Sequence, residues 1–151
     1  MDAFKKRVHQ RYQQIVQDRI DVFRDMITAL SEDSKNDAKG SAGDKHETAL
    51  SMMHIEQEKL TVKLREVIDQ KAVLDKIARS ENTSGKISLG SLAEANGKYF
   101  YLSAALPKII IDDKTIFALS PQSPLGNLMI GKCAGDELTA NGTNYLIARV
   151  L

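Results

Sequence analysis

The segment GDKHETA, residues 43–49, holds two carboxylates three residues apart, Asp44 and Glu47, just where an apolar periodic run begins. Two acids at this spacing, at the start of a helix, project from the same end of it. There they can offer oxygen ligands to a hard cation. A pair of carboxylates is a weak site by itself, so such an ion would have to be shared with a partner. The same spacing also fits a capping box, in which Asp44 accepts a backbone N–H and Glu47 reaches back to the cap. Both readings stand on the sequence.

Other candidates offer less. Cys133 is the single cysteine. That excludes an intrachain disulfide and a four-thiolate zinc site, and as a nucleophile it would need a neighbouring base, whereas no histidine is expected in its domain. His9, His46 and His54 fall in the N-terminal half without a thiolate cluster and read as helix-surface residues. Gly40, Ser41, Ala42 and Gly43 do not follow a strand and lack the Lys-Ser/Thr step of a phosphate-binding loop. Lys5, Lys6, Arg7 and Arg11 form a modest basic cluster that reads as a solvated helix face.

These residues must be positioned by two unlike halves. Of the 151 residues, 21 are basic and 20 acidic, so no global field points to nucleic acid or a membrane surface. No apolar run approaches the roughly 20 residues of a membrane span, and the first residues lack a secretory apolar region. A cytoplasmic protein is expected. Residues 1–80 hold 29 of the 41 charged residues and no proline, whereas residues 81–151 hold seven of nine glycines and all three prolines. The composition break predicts an α+β chain: a helical hairpin over 1–80 and a strand-rich domain over 84–151.

In the first half, Phe4, Val8, Tyr12, Ile15, Val22, Met26 and Ala29 fall at helical spacing, beside a second stripe of Val16, Ile20, Phe23, Ile27 and Leu30. A second helix runs from about His46 to Arg79 through Ala49, Met53, Leu60, Leu64, Val67, Leu74 and Ile77, with Gln57 and Lys71 interrupting its stripe. Near-heptad spacing in both arms predicts an antiparallel coiled coil, each arm about 45 Å long. Its far end would lie near residues 33–47. In the second half, Asn96-Gly97 and Asn141-Gly142 are strong hairpin turns and Asp112-Asp113-Lys114 is a polar turn. Ser123 is a good helix N-cap with Pro124 at the first helical position, and Leu128, Met129 and Ile130 are expected to supply the buried side of that helix. The sum is an antiparallel sheet of about five strands with one short helix.

This layout resembles the Gre transcript-cleavage factors. The resemblance rests on Ser120-Pro121-Gln122-Ser123-Pro124-Leu125-Gly126, on Gly131-Lys132 and on Gly135-Asp136-Glu137, a run fairly specific to the Gre C-terminal domain. It rests also on LGSLAEA at 89–95, similar to that domain's opening strand, and on Gly43, Asp44, Glu47 and Ala49, which match the family's Gly-Asp-x-x-Glu-Asn-Ala-Glu tip. Thr48 and Leu50 depart from it, standing where the family carries Asn and Glu. The resemblance implies an FKBP-like C-terminal domain, and an accessory factor rather than an enzyme with a reaction of its own. It implies binding to bacterial RNA polymerase through residues such as Ser123, Pro124, Leu125, Gly126 and Lys132, with the coiled coil inserted in the secondary channel. There Asp44 and Glu47 would help hold a Mg²⁺ shared with the polymerase while the 3′ end of backtracked nascent RNA is cut. No tightly bound cofactor is expected, and the free protein is expected to be a monomer. Two other readings stay open: a Gre-like channel binder that inhibits or tunes the polymerase without cleavage, and an FKBP-like isomerase or chaperone.

Overall fold

The computed structural model describes residues 1–40, 44–81 and 83–151, with the side chains of residues 34, 36–40 and 44–46 set aside. The element order is α1 (Ala3–Gly40), α2 (Asp44–Ala78), β1 (Leu92–Ala95), β2 (Lys98–Leu102), β3 (Leu106–Ile111), β4 (Lys114–Leu119), α3 (Pro124–Met129), β5 (Glu137–Ala140) and β6 (Thr143–Val150). The fold is α+β: two long helices packed against each other, followed by a six-stranded, mostly antiparallel sheet with one short helix. The chain divides into two compact units. One comprises Met1–Gln13 with Ala72–Leu151, the other Gln14–Lys71. The sheet unit thus takes in the first three turns of α1 and the end of α2.

In the helical unit, Val16, Ile20, Leu60 and Val67 are buried, and Phe23, Ile27, Leu30, Met53 and Leu64 are half-buried. These residues advance by fours and threes, the seam of a two-helix coil. The parallel stripe expected to continue through Val22 and Met26 does not join it: these two side chains are 55% and 45% exposed. Each lies one residue, about 100° of helix turn, from a seam position, and one partner helix covers only one stripe.

α1 begins under a cap that the sequence reading overlooked. The Asp2 carboxylate accepts from the backbone N–H groups of Phe4 (2.9 Å) and Lys5 (3.2 Å). The strand order of the sheet is β3-β4-β2-β1-β6-β5. Asn96-Gly97 closes β1–β2 and Asn141-Gly142 closes β5–β6, each turn with φ positive at both residues, the backbone that Asn-Gly adopts most readily. Asp112-Asp113 closes β3–β4 with the same signs and no glycine. The sheet has one strand more than expected and one parallel pair, β2 with β4. The additional strand is β3, which carries Pro107. An edge strand tolerates proline because its outward side needs no donor, and the register of β3 shifts between Leu106 and Ile109.

β2 organises the sheet unit. Alternation sends Tyr99 and Tyr101 to one face and Phe100 and Leu102 to the other. Phe100 and Leu102 join Ile87, Ala93, Ala95, Met129, Leu138 and Ile147 in a core cluster. Tyr99 packs edge-on against Phe4, with ring centroids 5.0 Å apart, and Tyr101 stacks on Tyr12 at 6.0 Å. The Tyr12 hydroxyl donates to the Pro107 carbonyl at 2.9 Å, so the buried phenol is satisfied.

His9 is a correction to the sequence reading. It is not on the surface but 4% exposed, with Nδ1 hydrogen-bonded to the Tyr101 hydroxyl at 2.6 Å. Its Nε2 is buried with no hydrogen-bond partner among the described residues. Burial lowers the His9 pKa; Asp75 opposes the shift and Lys5 adds to it. Burial likewise raises the hydroxyl pKa of Tyr12 and Tyr101, so both stay neutral. The signal missed was position: His9 adjoins Val8 and lies three residues before Tyr12, on the side of the helix that meets the sheet.

A lowered pKa in the folded protein means that the unfolded chain takes up the proton first. The neutral imidazole therefore carries no pH-dependent penalty above the ordinary value of 6.5, and stability falls as pH drops through that value towards the lower folded one. Thermal melts between pH 8 and pH 5 are expected to show a falling midpoint. His9→Gln, which can still bond Tyr101 but does not titrate, is expected to flatten that part of the profile.

Candidate functional site

The two sequence-level candidates are the start of α2 and the segment from Ser120 to Glu137. α2 opens at Asp44, so this residue stands at the helix start as the spacing suggested. Its side chain, and with it the capping-box geometry, lies outside the described residues, as does the loop through Ser41, Ala42 and Gly43. Glu47 lies in the first turn of α2 with an exposed side chain. The helix N-terminus favours negative charge there. Thr48 is exposed and Leu50 half-buried. Among the described residues no group of three or more His, Cys, Asp or Glu is placed to hold a metal ion. The donor chemistry of Asp44 and Glu47 suits Mg²⁺, since both offer carboxylate oxygens, but two ligands fall well short of an octahedral shell.

The second segment shows what its residues do locally. Ser123 is the N-cap of α3: its hydroxyl accepts from the Gly126 N–H (3.1 Å) and donates to the Ser120 carbonyl (2.7 Å). Pro124 takes the first helical position, where its missing N–H is no loss. Gly126 is buried, and a Cβ there would run into the Ser120 carbonyl oxygen and the Ser123 hydroxyl. Two backbone bonds tie the end of α3 to the strand entry, Gly131 N–H to the Ile87 carbonyl (2.7 Å) and Ile87 N–H to the Lys132 carbonyl (2.8 Å). Asp136 accepts from the Cys133 N–H at 2.8 Å. Most of the motif therefore builds a turn, a six-residue helix and its exit.

Several of its members still face outward. Pro124 is exposed, Leu125 and Lys132 are half-buried, and Leu128 and Ile130 are exposed. Sequence reasoning named Pro124, Leu125 and Lys132 but passed over Leu128 and Ile130 as surface residues, having placed them on the buried side. Of that group Met129 alone turns fully inward, into the core cluster. Cys133 is half-buried. His9 lies in the same compact unit as Cys133, against the expectation that no histidine would, but its Nδ1 is engaged by Tyr101.

No family model matches this chain, and no curated protein matches it. The resemblance in the two motifs therefore stands on the residues themselves.

The local roles have a measurable consequence. Ser123→Ala is expected to cost about 1 kcal/mol through the lost cap. Gly126→Ala is expected to cost about 1–3 kcal/mol, because its methyl group meets backbone that cannot yield freely. Lys132→Ala is expected to stay within about 0.5 kcal/mol. Denaturant melts compare the three; unchanged midpoints for Ser123→Ala and Gly126→Ala would contradict the structural role.

Proposed function

We propose that the chain is a Gre-like accessory factor of bacterial RNA polymerase, with no reaction of its own. In this reading the sheet unit docks on the polymerase and the helical hairpin enters the secondary channel. The observation that carries it is the combination of two features in one chain. An acid pair three residues apart stands at the start of the second helix of a helical hairpin. The Ser120–Glu137 run builds the turn and short helix of an α+β sheet unit. A soluble cytoplasmic setting suits the reading; no helix, among the described residues, is long and apolar enough to cross a membrane.

Asp44 and Glu47 would each present a carboxylate to a Mg²⁺ that the polymerase also holds. The ion supplies Lewis-acid stabilisation of the attacking water and the leaving oxygen during RNA cleavage. What this chain would contribute is placement of two negative charges beside the RNA 3′ end. Docking falls to the outward residues Pro124, Leu125, Leu128, Ile130 and Lys132. Ser123 and Gly126 support that surface by holding α3 in place.

Thr48 and Leu50 favour a second reading, a channel binder that inhibits or tunes the polymerase. A half-buried Leu50 replaces a carboxylate that the Gre tip carries, leaving less charge to hold the ion. An isomerase reading has weaker support, because the sheet unit offers few aromatic side chains beyond those its own packing uses.

The test is cleavage of backtracked complexes at saturating factor. Asp44→Asn with Glu47→Gln preserves capping, since Asn and Gln serve as caps about as well, yet replaces both charged ligands by neutral amides. The melt is expected to shift by no more than about 1 kcal/mol, polymerase binding to persist, and stimulated cleavage to collapse, with partial rescue by added Mg²⁺. Full activity in the double variant would leave the acids as helix caps. Binding without any wild-type cleavage would select the inhibitory reading, and absence of binding would reject both.

A further inference from the structure

α1 carries more apolar surface than α2 covers. Outside the seam, Val22, Met26 and Ala29 are exposed, and their four-three spacing keeps them on one stripe. Opposite charges close that stripe at its two ends. Arg19 lies seven residues before Met26 and Asp33 seven residues after it. Seven residues are close to two turns, so both fall on the stripe, each about 10 Å from its centre. Both are exposed, and neither has an ion-pair partner among the described residues.

This arrangement is self-complementary. A two-fold axis through Met26 lays α1 antiparallel on its own copy. It brings the apolar residues of the two stripes together and sets each Arg19 against the other copy's Asp33. A parallel arrangement would instead oppose Arg19 to Arg19. We propose that this face pairs two copies of the chain. The occupant is a second copy because the stripe is complementary to itself reversed, apolar residues against apolar residues and Arg19 against Asp33.

The pairing is weak by construction. The stretch from Arg19 to Asp33 is about 22 Å of helix, and such a patch falls below the area of a standard stable interface, about 1,200–2,000 Å². Exposed Asp25, one residue from the centre, meets its own copy at the rim and opposes association. The dimer therefore forms reversibly, at high protein concentration and low salt.

Sedimentation velocity of the free full-length chain, from low-micromolar to near-millimolar concentration in low salt, tests this. The proposal concerns the free chain, so it succeeds or fails independently of polymerase binding. The apparent mass is expected to rise from 16.7 kDa towards twice that value. Arg19→Glu and Asp33→Arg, each alone, are expected to raise the concentration required by about tenfold or more. The two together are expected to restore it, because the ion pairs re-form with reversed sign. Asp25→Asn is expected to lower it, and Met26→Glu to abolish the rise with far-UV circular dichroism unchanged. A constant monomer mass overturns the proposal. So does a dimer indifferent to either single reversal, or one that the double exchange does not restore.

Discussion

β2 is bounded by β4 on one side and β1 on the other, and it must be dry on both faces. That requirement explains most of the sheet unit. A strand with Tyr99 and Tyr101 on one face and Phe100 and Leu102 on the other exposes four large apolar side chains unless two layers cover it. Burial of each contributes on the order of 1.5–3 kcal/mol. The start of α1 supplies one layer, through Phe4 and Tyr12, and Val8, Leu74 and Ile77 in the helix ends of the same unit are buried as well. α3, with Met129 turned inward, supplies the other. The sheet is not an independent module to which a coiled coil is merely linked. Its own compact unit includes the helix ends, which is why Gly90 has no side chain: a Cβ there would approach Ile77 to 2.9 Å.

Polar groups inside these layers are handled unevenly. Tyr12 and Tyr101 carry their hydroxyls to a carbonyl and an imidazole. His9 leaves one ring nitrogen without a partner. A buried unpaired nitrogen costs on the order of 1–3 kcal/mol, yet a charged imidazole there would cost more. The neutral form is thus favoured by its surroundings, which is the source of the acid sensitivity expected from His9.

The parts of the fold that were legible in the sequence are those with local causes. Asn96-Gly97 and Asn141-Gly142 specify turns through backbone conformation alone, and Ser123-Pro124 specifies a helix start through a cap and a fixed φ. The seam of α2 could be read from Leu60, Leu64, Val67, Leu74 and Ile77 because heptad spacing is a local pattern. What escaped had tertiary causes. β3 was obscured by Pro107, which is tolerated because that strand lies at the edge. His9 is buried because a sheet that begins some 80 residues later closes over it. Of the candidate site, Ser123 and Gly126 were legible as important, and the structure gives each a role within its own turn. A residue type and spacing can mark a position without saying whether it faces a partner or its own chain. The Ser120 carbonyl beneath Gly126 accounts for the missing side chain there.

A hairpin of two helices has a geometric consequence that bears on the proposed function. Each helix can bury only the stripe facing its one neighbour, so additional apolar surface on α1 must remain open or find an occupant outside the chain. A third helix would cover Val22 and Met26, but it would also widen the body that, in the proposed function, enters a channel. Leaving the stripe open keeps the hairpin narrow at the cost of a tendency to self-associate. The Asp25 carboxylate at the rim then limits that tendency without disturbing the seam, because it points to solvent in the single chain and meets a like charge only when two copies approach.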